Sequence, residues 1–162
     1  MLEAIVAVYS DWGIGANGTQ PVTLKADRRH FRAVTQGAAI LVGRKTLADF
    51  PEGRPLPGRV NILLSAKGEA AEGAVLVRNV ETALAEAAKY PRVFVVGGAS
   101  VYRAFFPYLH RIYVTKLFCR PRSDVFFPDL DADADWRAAE EGDRLAEGVV
   151  AYRFLTYERR KH

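Results

Sequence analysis

The chain has 162 residues, 49% apolar and 26% charged, which excludes a disordered or fibrous protein and indicates a globular one of one or two domains. The single cysteine, Cys119, excludes an internal disulfide and favours a reducing compartment. Residues 1–9 lack a basic region and are too few to span a bilayer, so we expect a cytoplasmic protein with no membrane partner.

The net charge of +4 raises the question of a nucleic-acid partner. The basic residues are scattered over several predicted helices and turns, and the one basic run, residues 159–162, is explained by a solvated tail. Scattered cations around a cleft suit a small polyanionic ligand better than a duplex. We therefore expect a small-molecule ligand and no nucleic acid.

Strand-like apolar runs alternate with helical patterns along most of the chain. The predicted strands are 4–9, 38–42, 60–65, 75–78, 93–96, 112–117, 136–140 and 150–158, and the predicted helices are 24–35, 45–50, 80–89 and 100–109. This order predicts an α/β fold of three αβα layers, with four main helices, a predominantly parallel eight-stranded sheet and a C-terminal antiparallel hairpin. The hairpin turn is predicted at Glu147-Gly148, and Gly37 is predicted to end the first helix.

Residues 10–23 form a long segment without periodicity, and we expect a functional loop there, such as a lid. Within it, residues 13–18 match the dinucleotide fingerprint G-x-G-x-x-G. The context argues against that interpretation, because no helix pattern begins at Gly18 and Asp27 comes too early to bind a ribose. The glycines are better interpreted as making the loop mobile.

Asp27 stands out on the first predicted helix. Asp27, Phe31 and Val34 share one helix face, and a carboxylate on an apolar face is unusual. Two interpretations remain open from the helix alone. Asp27 either complements the helix dipole in the first turn, or is a buried carboxylate with a raised pKa that holds a polar heterocycle or moves a proton.

Several predicted strands end in groups that suit phosphate. Gly97-Gly98 and Gly43-Arg44-Lys45-Thr46 each follow an apolar run and open a helical pattern, where bare backbone and helix N–H groups can approach an anion. Ser65 and Lys67 end the next strand, and Arg78 ends the one after it. Each segment alone is explained by a tight or basic turn, but together they fit ligand binding at the carboxyl edge of a sheet.

Residues 53–59 form a loop stiffened by Pro55 and Pro57, which would hold Arg59 in place. A guanidinium on a rigid arm is a good partner for a carboxylate, although an ordinary exposed turn is the simpler interpretation of this segment taken alone.

Other chemistries find little support in the sequence. The histidines show no metal-ligand spacing with carboxylates or Cys119, so we expect no metal, and neither a nucleophile elbow nor a P-loop motif occurs.

Taken in order, these segments resemble dihydrofolate reductases. The similarity runs through residues 4–18, 27–31, 43–46, 54–59, 96–98, 102, 113–115 and 124–129. It implies a single dihydrofolate reductase domain over residues 1–162 that reduces 7,8-dihydrofolate with NADPH, by hydride transfer to C6 and protonation of N5. It also implies a monomer that binds antifolate inhibitors.

The resemblance implies a role for each matching residue on the substrate side. The catalytic set is Asp27, Tyr102 and Thr115; Asp27 would bind the pterin amino group and ring nitrogen and favour the protonated substrate, with support from Thr115. Further substrate-binding residues are Ile5, Val6, Ala7, Arg28, Phe31, Phe50, Leu56, Arg59 and Val96. Arg59 would pair with the glutamate α-carboxylate.

The implied NADPH site draws on three parts of the chain. Its residues are Ala7, Ile14, Gly15 and Gly18; then Gly43, Arg44, Lys45, Thr46, Leu64, Ser65, Ala66, Lys67 and Arg78; then Val96, Gly97, Gly98, Ala99, Ser100, Val101 and Tyr102. Positive charge near the 2′-phosphate would favour NADPH over NADH. The loop around residues 14–20 would close over the nicotinamide and exclude water, and Asp124 would steady its closed form.

Three positions depart from the family pattern. Val22 stands where bacterial members usually carry a tryptophan that helps hold a water beside the pterin, which puts the proton route in question. Gln20 occupies a loop position often filled by an apolar residue, and Arg28 one that is frequently leucine. From Val22 and Arg28 we predict weakened binding of diaminopyrimidine antifolates such as trimethoprim.

Two rival functions remain. The pyrimidine reductase of riboflavin synthesis shares this fold and its NADPH chemistry, although Asp27 with Phe31 and the Arg59 arm favour folate over a ribosyl phosphate. A non-catalytic module that binds nucleotides or nucleic acid would explain the basic charge and the glycine loops. It would not explain a buried Asp27.

Overall fold

A computed structural model describes residues 2–161 of the chain. Met1, in the predicted N-terminal segment, and His162, in the predicted basic tail, lie outside the described residues. The strands are β1 Leu2–Tyr9, β2 Gly13–Gly15, β3 Ala39–Gly43, β4 Val60–Leu64, β5 Ala74–Val77, β6 Val93–Gly97, β7 Arg111–Leu117, β8 Val125–Phe126, β9 Trp136–Glu141, β10 Leu145–Glu147 and β11 Val150–Arg159. The α-helices are α1 Lys25–Thr35, α2 Arg44–Ala48, α3 Val80–Ala87 and α4 Ala99–Phe105.

The strands follow the order β10-β11-β7-β1-β6-β3-β4-β5 in one sheet, with β9 also paired to β11, and β2 and β8 form a second, two-stranded sheet. The predicted α/β class, with a predominantly parallel sheet and an antiparallel C-terminal hairpin, is confirmed. The main sheet has nine strands among the described residues where the sequence predicts eight. The additional strand, β10, is three residues long and lies where the sequence indicates only the approach to a turn.

The chain divides into two compact units, of which the first comprises Met1–Ala4 and Arg32–Leu109. In this unit the start of β1 pairs parallel with β6, β6 with β3, β3 with β4 and β4 with β5. Strands β3 and β6 are buried along their whole length, as their continuous apolar runs predict. Because β3 and β6 are parallel neighbours, with Val42 opposite Gly97, the turns that lead into α2 and α4 lie side by side.

The second unit comprises Ile5–Phe31 and His110–His162. Here β11 pairs antiparallel with β7, β9 and β10. Glu147 pairs with Val150, so the hairpin turns at Gly148 and Val149, one residue later than predicted. Gly148 has φ of +61°, which suits glycine at a tight hairpin turn.

Prolines explain why two predicted helices end early. The pattern over 45–50 ends as α2 at Ala48, and a 3-10 turn over Pro51–Gly53 follows. The pattern over 100–109 ends as α4 at Phe105, before a 3-10 turn over Phe106–Tyr108 that contains Pro107. Proline lacks the N–H that an α-helix needs, so the chain tightens instead.

The segment 10–23 contains a short strand that the sequence does not predict. Residues Gly13–Gly15 form β2, which pairs antiparallel with β8. No helix begins at Gly18, since α1 begins at Lys25, and this confirms that the glycine motif is no dinucleotide fingerprint. Across residues 2–161, each helix is too short or too polar to cross a membrane.

Candidate active site

The Asp27 carboxylate, in the first turn of α1, is joined to β7 by a short hydrogen bond. The hydroxyl of Thr115, which is fully buried, donates to Asp27 Oδ1 over 2.6 Å. Burial raises the pKa of Asp27, while the Thr115 hydrogen bond and the charges of His30 and Arg28 oppose that rise. An exposed acid that merely complemented the helix dipole would have a lowered pKa. The structure therefore favours the second interpretation, a desolvated carboxylate able to hold a proton.

A second acidic residue, Glu147, contacts the same helix, and the sequence analysis did not predict this contact. Glu147, at the end of β10, accepts hydrogen bonds from the backbone N–H of Lys25 over 2.8 Å and of Ala26 over 2.9 Å. These two backbone hydrogen bonds lower the pKa of Glu147. The sequence signals only a turn at Glu147, because a contact with residues more than a hundred positions away leaves no local pattern.

His30 lies about one helical turn after Asp27. From the sequence it was assessed only as a possible metal ligand. Its ring stacks on Phe154 of β11, with the ring centroids 4.1 Å apart and the planes inclined by 26°. Burial lowers the pKa of His30, against the opposing charge of Asp27. Among the described residues, no group of three His, Cys, Asp or Glu side chains could hold a metal ion.

The loop after β1 is tied down by Asp124. The Asn17 N–H donates to Asp124 Oδ2 over 2.9 Å, and the Asp124 N–H donates to the Gly15 carbonyl over 2.9 Å. The sequence analysis predicts that Asp124 steadies this loop, but it does not predict the contribution of Asn17, which comes from the backbone N–H. The positive φ of Asn17, 54°, is typical of asparagine in a turn.

Two further contacts fix the end of this loop. The side-chain amide of Gln20 donates from Nε2 to the Ala7 carbonyl over 3.0 Å. The Tyr9 hydroxyl donates to the Val22 carbonyl over 3.1 Å and accepts from the Val22 N–H over 3.0 Å. Val22 packs against a buried cluster that includes Tyr9 and Leu24. Residues 20 and 22, which depart from the family pattern, are therefore both anchored to β1.

The predicted phosphate-binding groups of the first unit meet at neighbouring strand ends. Arg44 donates from Nε to Ser65 Oγ over 3.2 Å, and Ser65 in turn donates to the Lys67 carbonyl. Arg78 donates from Nη1 to the Gly68 carbonyl over 2.8 Å. Two guanidinium groups on exposed residues and the hydroxyl of a partly buried serine are thus held after β3, β4 and β5.

The glycine turns before α2 and α4 leave little room for side chains. A Cβ atom at Gly43 would lie 3.0 Å from Val101 Cγ2, and one at either Gly97 or Gly98 would lie 3.3 Å from Thr46 Oγ1. Gly97 has φ of +129°, and the Gly97–Gly98 peptide is cis. Both helices begin without a side-chain cap on their first N–H groups. Bare backbone and uncapped N–H groups fit a ligand phosphate.

Arg59 is held in one orientation by three hydrogen bonds. It donates from Nε to Thr35 Oγ1 over 2.9 Å, from Nη1 to the Pro57 carbonyl over 2.6 Å and from Nη2 to the Arg32 carbonyl over 3.4 Å. Burial, and then the charge of Arg32, lower the pKa of Arg59. A partly desolvated cation beside another cation fits an anionic partner, as the rigid loop predicts.

The other predicted residues fall into both units. In the second unit Ile5 and Val6 are buried and Gly15 is enclosed, while Ala7, Ile14 and Phe31 are partly buried and Gly18 and Arg28 are exposed. In the first unit Val96, Val101 and Tyr102 are buried, Phe50, Leu56, Leu64 and Ala99 are partly buried, and Lys45, Ala66, Lys67 and Ser100 are exposed. Buried Asn61, which the sequence misses, bonds both the N–H and the carbonyl of Leu56, each over 2.9 Å. That these residues line one substrate pocket stays a prediction.

The chain has an α/β fold, strand ends that suit phosphate and a desolvated carboxylate on its first helix. These features are typical of α/β enzymes that act on phosphate-bearing or heterocyclic ligands. A family model described as dihydrofolate reductase matches residues 1–159, so the chain belongs to the dihydrofolate reductase family. This confirms the resemblance found in the sequence.

Known members of the family match along nearly their whole length. The chain is 33% identical to the dihydrofolate reductase of Bacillus subtilis, over 99% of this chain and 95% of that protein. It is 36% identical to that of Mycobacterium tuberculosis, over 98% of each. A solved structure of dihydrofolate reductase from Enterococcus faecalis, complexed with NADP(H) and RAB-propyl, matches with a TM-score of 0.87 and 30% identity, covering 99% of this chain and 97% of that one.

Proposed function

We propose that this protein reduces 7,8-dihydrofolate to 5,6,7,8-tetrahydrofolate with NADPH, by hydride transfer to C6 and protonation of N5. The observation that carries the proposal is the Asp27 carboxylate, partly buried, bonded to Thr115 and with a raised pKa. A family member needs one titratable group beside the pterin, and Asp27 has the environment for it. Family membership and full-length similarity to dihydrofolate reductases support the same activity.

On the substrate side, Asp27 binds the amino group and ring nitrogen of the pterin and favours the protonated form of the substrate. Thr115 orients the carboxylate, because its hydroxyl bonds one carboxylate oxygen and leaves the other free to bind the pterin. Arg59 pairs with the α-carboxylate of the glutamate, for which its guanidinium is already oriented.

The cofactor side fits a dinucleotide phosphate. When bound, NADPH supplies the hydride. Arg44, Ser65 and Arg78 would hold the adenosine phosphates, and their positive charge favours NADPH over NADH. The bare turns at Gly43 and Gly97-Gly98 would let the pyrophosphate approach the backbone.

The chain itself does little covalent work in this reaction. Its main contribution is to hold two rings at reacting distance, which supplies several kcal/mol of the barrier. The loop held by Asp124 excludes water from the reacting rings. The Val22 side chain has no donor, and its backbone N–H and carbonyl are both bonded to Tyr9, so we assign the proton side to Asp27.

We further propose that residues 1–162 act as one dihydrofolate reductase domain, as a monomer in the cytoplasm, without nucleic acid. The family model spans residues 1–159, and Cys119 is a free thiol, which suits a reducing compartment. Arg44 and Arg59 are each held by hydrogen bonds in different loops, which supports a small anionic ligand.

The test is oxidation of NADPH by the purified protein with and without dihydrofolate. We expect consumption that depends on dihydrofolate, a loss of turnover of about 10²–10⁴-fold at neutral pH in Asp27→Asn, and nearly unchanged NADPH affinity. Asp143→Asn removes an equal charge from an exposed position and serves as the control, with expected wild-type activity.

Two outcomes would overturn this proposal. Full activity of Asp27→Asn would remove the assigned role of that carboxylate. Oxidation of NADPH with a ribosylated aminopyrimidine and not with dihydrofolate would favour the pyrimidine reductase of riboflavin synthesis.

A further inference from the structure

We infer that Glu147 is a positioning residue for the catalytic carboxylate: from the β10–β11 hairpin it clamps the first turn of α1, and its negative charge offsets Lys25, Arg29 and the positive end of that helix. This inference rests on the proposed function, because it concerns how Asp27 is held and charged during dihydrofolate reduction. Nothing in the family resemblance assigned a role to Glu147.

The clamp uses both oxygens of one carboxylate. Oε2 of Glu147 accepts from the Lys25 N–H over 2.8 Å and Oε1 accepts from the Ala26 N–H over 2.9 Å. Both N–H groups belong to the first turn of α1, where backbone donors have no partner within the helix. A helix is ordinarily capped by a side chain adjacent in sequence, whereas this one is capped across 121 and 122 residues.

The position of the clamp links it to catalysis. Asp27 is the residue immediately after Ala26, and its own carboxylate is bonded to Thr115 of β7. The first turn of α1 is therefore held at successive residues by two different strands. If the Glu147 contact is lost, this turn keeps the Thr115 hydrogen bond and the packing of Leu24 and Ala26, but its backbone N–H groups lose their acceptor.

The hairpin is built to present this carboxylate. Glu147 is the last residue of β10 and pairs with Val150 across a two-residue turn. The turn includes Gly148 at φ of +61°, a conformation that most residues avoid. Glu147 is therefore fixed on one side by strand pairing and on the other by a tight turn.

The charges around Asp27 give the clamp a second effect. On α1, Arg28 and His30 act on Asp27, while Lys25 and Arg29 act on Glu147. Four strands pack against this part of α1. Strand β7 offers the neutral Thr115, and β10 offers Glu147 itself. Strand β1 offers Tyr9, whose pKa is raised by burial, and β11 offers Tyr152 and the ring of Phe154 against His30.

Glu147 thus supplies a negative charge that faces Lys25, Arg29 and the positive end of the helix, one turn or less from Asp27. Without it the surroundings of Asp27 become more positive, which favours the ionised carboxylate. The loss of hydride transfer as Asp27 ionises then sets in at lower pH.

The experiment compares pH profiles of single-turnover hydride transfer. Glu147→Gln removes the charge and at least one of the two hydrogen bonds, since its amide has a single acceptor oxygen. We expect its profile to move to lower pH by about 0.5 unit, which is about threefold in rate on the falling limb. NADPH affinity should not change, and Asp143→Asn, an equal change of charge on an exposed neighbour, should keep the wild-type profile.

A second variant separates charge from position. Glu147→Asp keeps the charge but shortens the side chain, so we expect a lower rate with an unshifted profile. Suppose that the wild-type enzyme is active. The inference is then overturned if Glu147→Gln keeps the wild-type rate and pH profile, or if Glu147→Gln and Asp143→Asn shift the profile equally. A wild-type protein without dihydrofolate-dependent oxidation of NADPH would instead overturn the proposed function, and the two failures are distinguishable.

Discussion

Asp27 and Thr115 lie 88 residues apart in the chain, yet their side-chain oxygens are separated by 2.6 Å. Two opposing effects act on the carboxyl group at that point. Burial favours its neutral form and raises its pKa, while the Thr115 hydroxyl donates to the ionised form and lowers it. The balance of these effects sets the pH range in which Asp27 can hold a proton.

Thr115→Val should change that balance in a known direction. Valine has nearly the same shape and keeps the carboxylate buried, but it cannot donate, so the pKa of Asp27 should rise further. The fall of hydride transfer with increasing pH should then move to higher pH, by about one unit if the bond is typical of those to charged groups. Single-turnover rates across pH measure this, and a move to lower pH would contradict it. The direction is opposite to that expected for Glu147→Gln.

Asp124→Ala should slow hydride transfer more than it weakens ligand binding. The substitution removes the acceptor for the Asn17 N–H, so the loop loses one hydrogen bond to a carboxylate at an exposed site. A loss of about 1 kcal/mol would lower the closed population, and hence the single-turnover rate, about fivefold. Asp143→Ala, the same truncation at an exposed position of the same unit, is the control. Unchanged single-turnover rates would show that Asp124 does not steady the loop.

The fold was largely predictable because its parallel strands are long apolar runs. Strands β3 and β6 are buried throughout, and such runs show in the sequence without any knowledge of their partners. Asp27 was found because a charge on an apolar helix face breaks a pattern. In both cases the signal is local, and the physical cause acts over a few residues.

The rest could not be predicted because its causes are not local. Strand β2 forms from glycine-rich residues through backbone pairing with β8, and backbone pairing needs no particular side chain. The contact of Glu147 with Lys25 and Ala26 joins positions more than a hundred residues apart. Sequence patterns place a hairpin turn near Glu147, but only the folded chain shows where its carboxylate reaches.

Gln20→Ala should strengthen NADPH binding about fivefold, the effect of one neutral hydrogen bond. Ala7 is among the residues proposed to bind the cofactor, and the Gln20 amide already donates to its carbonyl. Removing the amide frees that carbonyl for a donor of the cofactor. Gln36→Ala, which truncates an exposed glutamine outside the proposed sites, is the control. Weaker NADPH binding in Gln20→Ala would mean that Gln20 contacts the cofactor instead of competing with it.

Arg44→Gln should reduce the preference for NADPH over NADH about tenfold. Arg44 is held against Ser65 at the carboxyl edge of the first unit, and its charge can act on a 2′-phosphate that NADH lacks. The comparison is kcat/KM for the two cofactors. Arg54→Gln removes an exposed arginine that faces Glu52 and should leave the preference unchanged. An equal fall with both cofactors would place Arg44 at a phosphate that the two share.

The pair Val22→Trp and Arg28→Leu should together strengthen trimethoprim binding about tenfold or more, through added apolar contact and an indole donor. The Val22 backbone is bonded to Tyr9 at both its N–H and its carbonyl, so the backbone can keep its position while the side chain grows. Arg28 is exposed and makes a long 3.5 Å contact with Thr23 Oγ1, but its charge lowers the pKa of Asp27, so Arg28→Leu also raises that pKa. Inhibition constants for the wild-type chain, the double variant and the Bacillus subtilis relative, measured side by side, decide the matter. If the wild-type chain and that relative bind trimethoprim equally well, residues 22 and 28 do not weaken antifolate binding here.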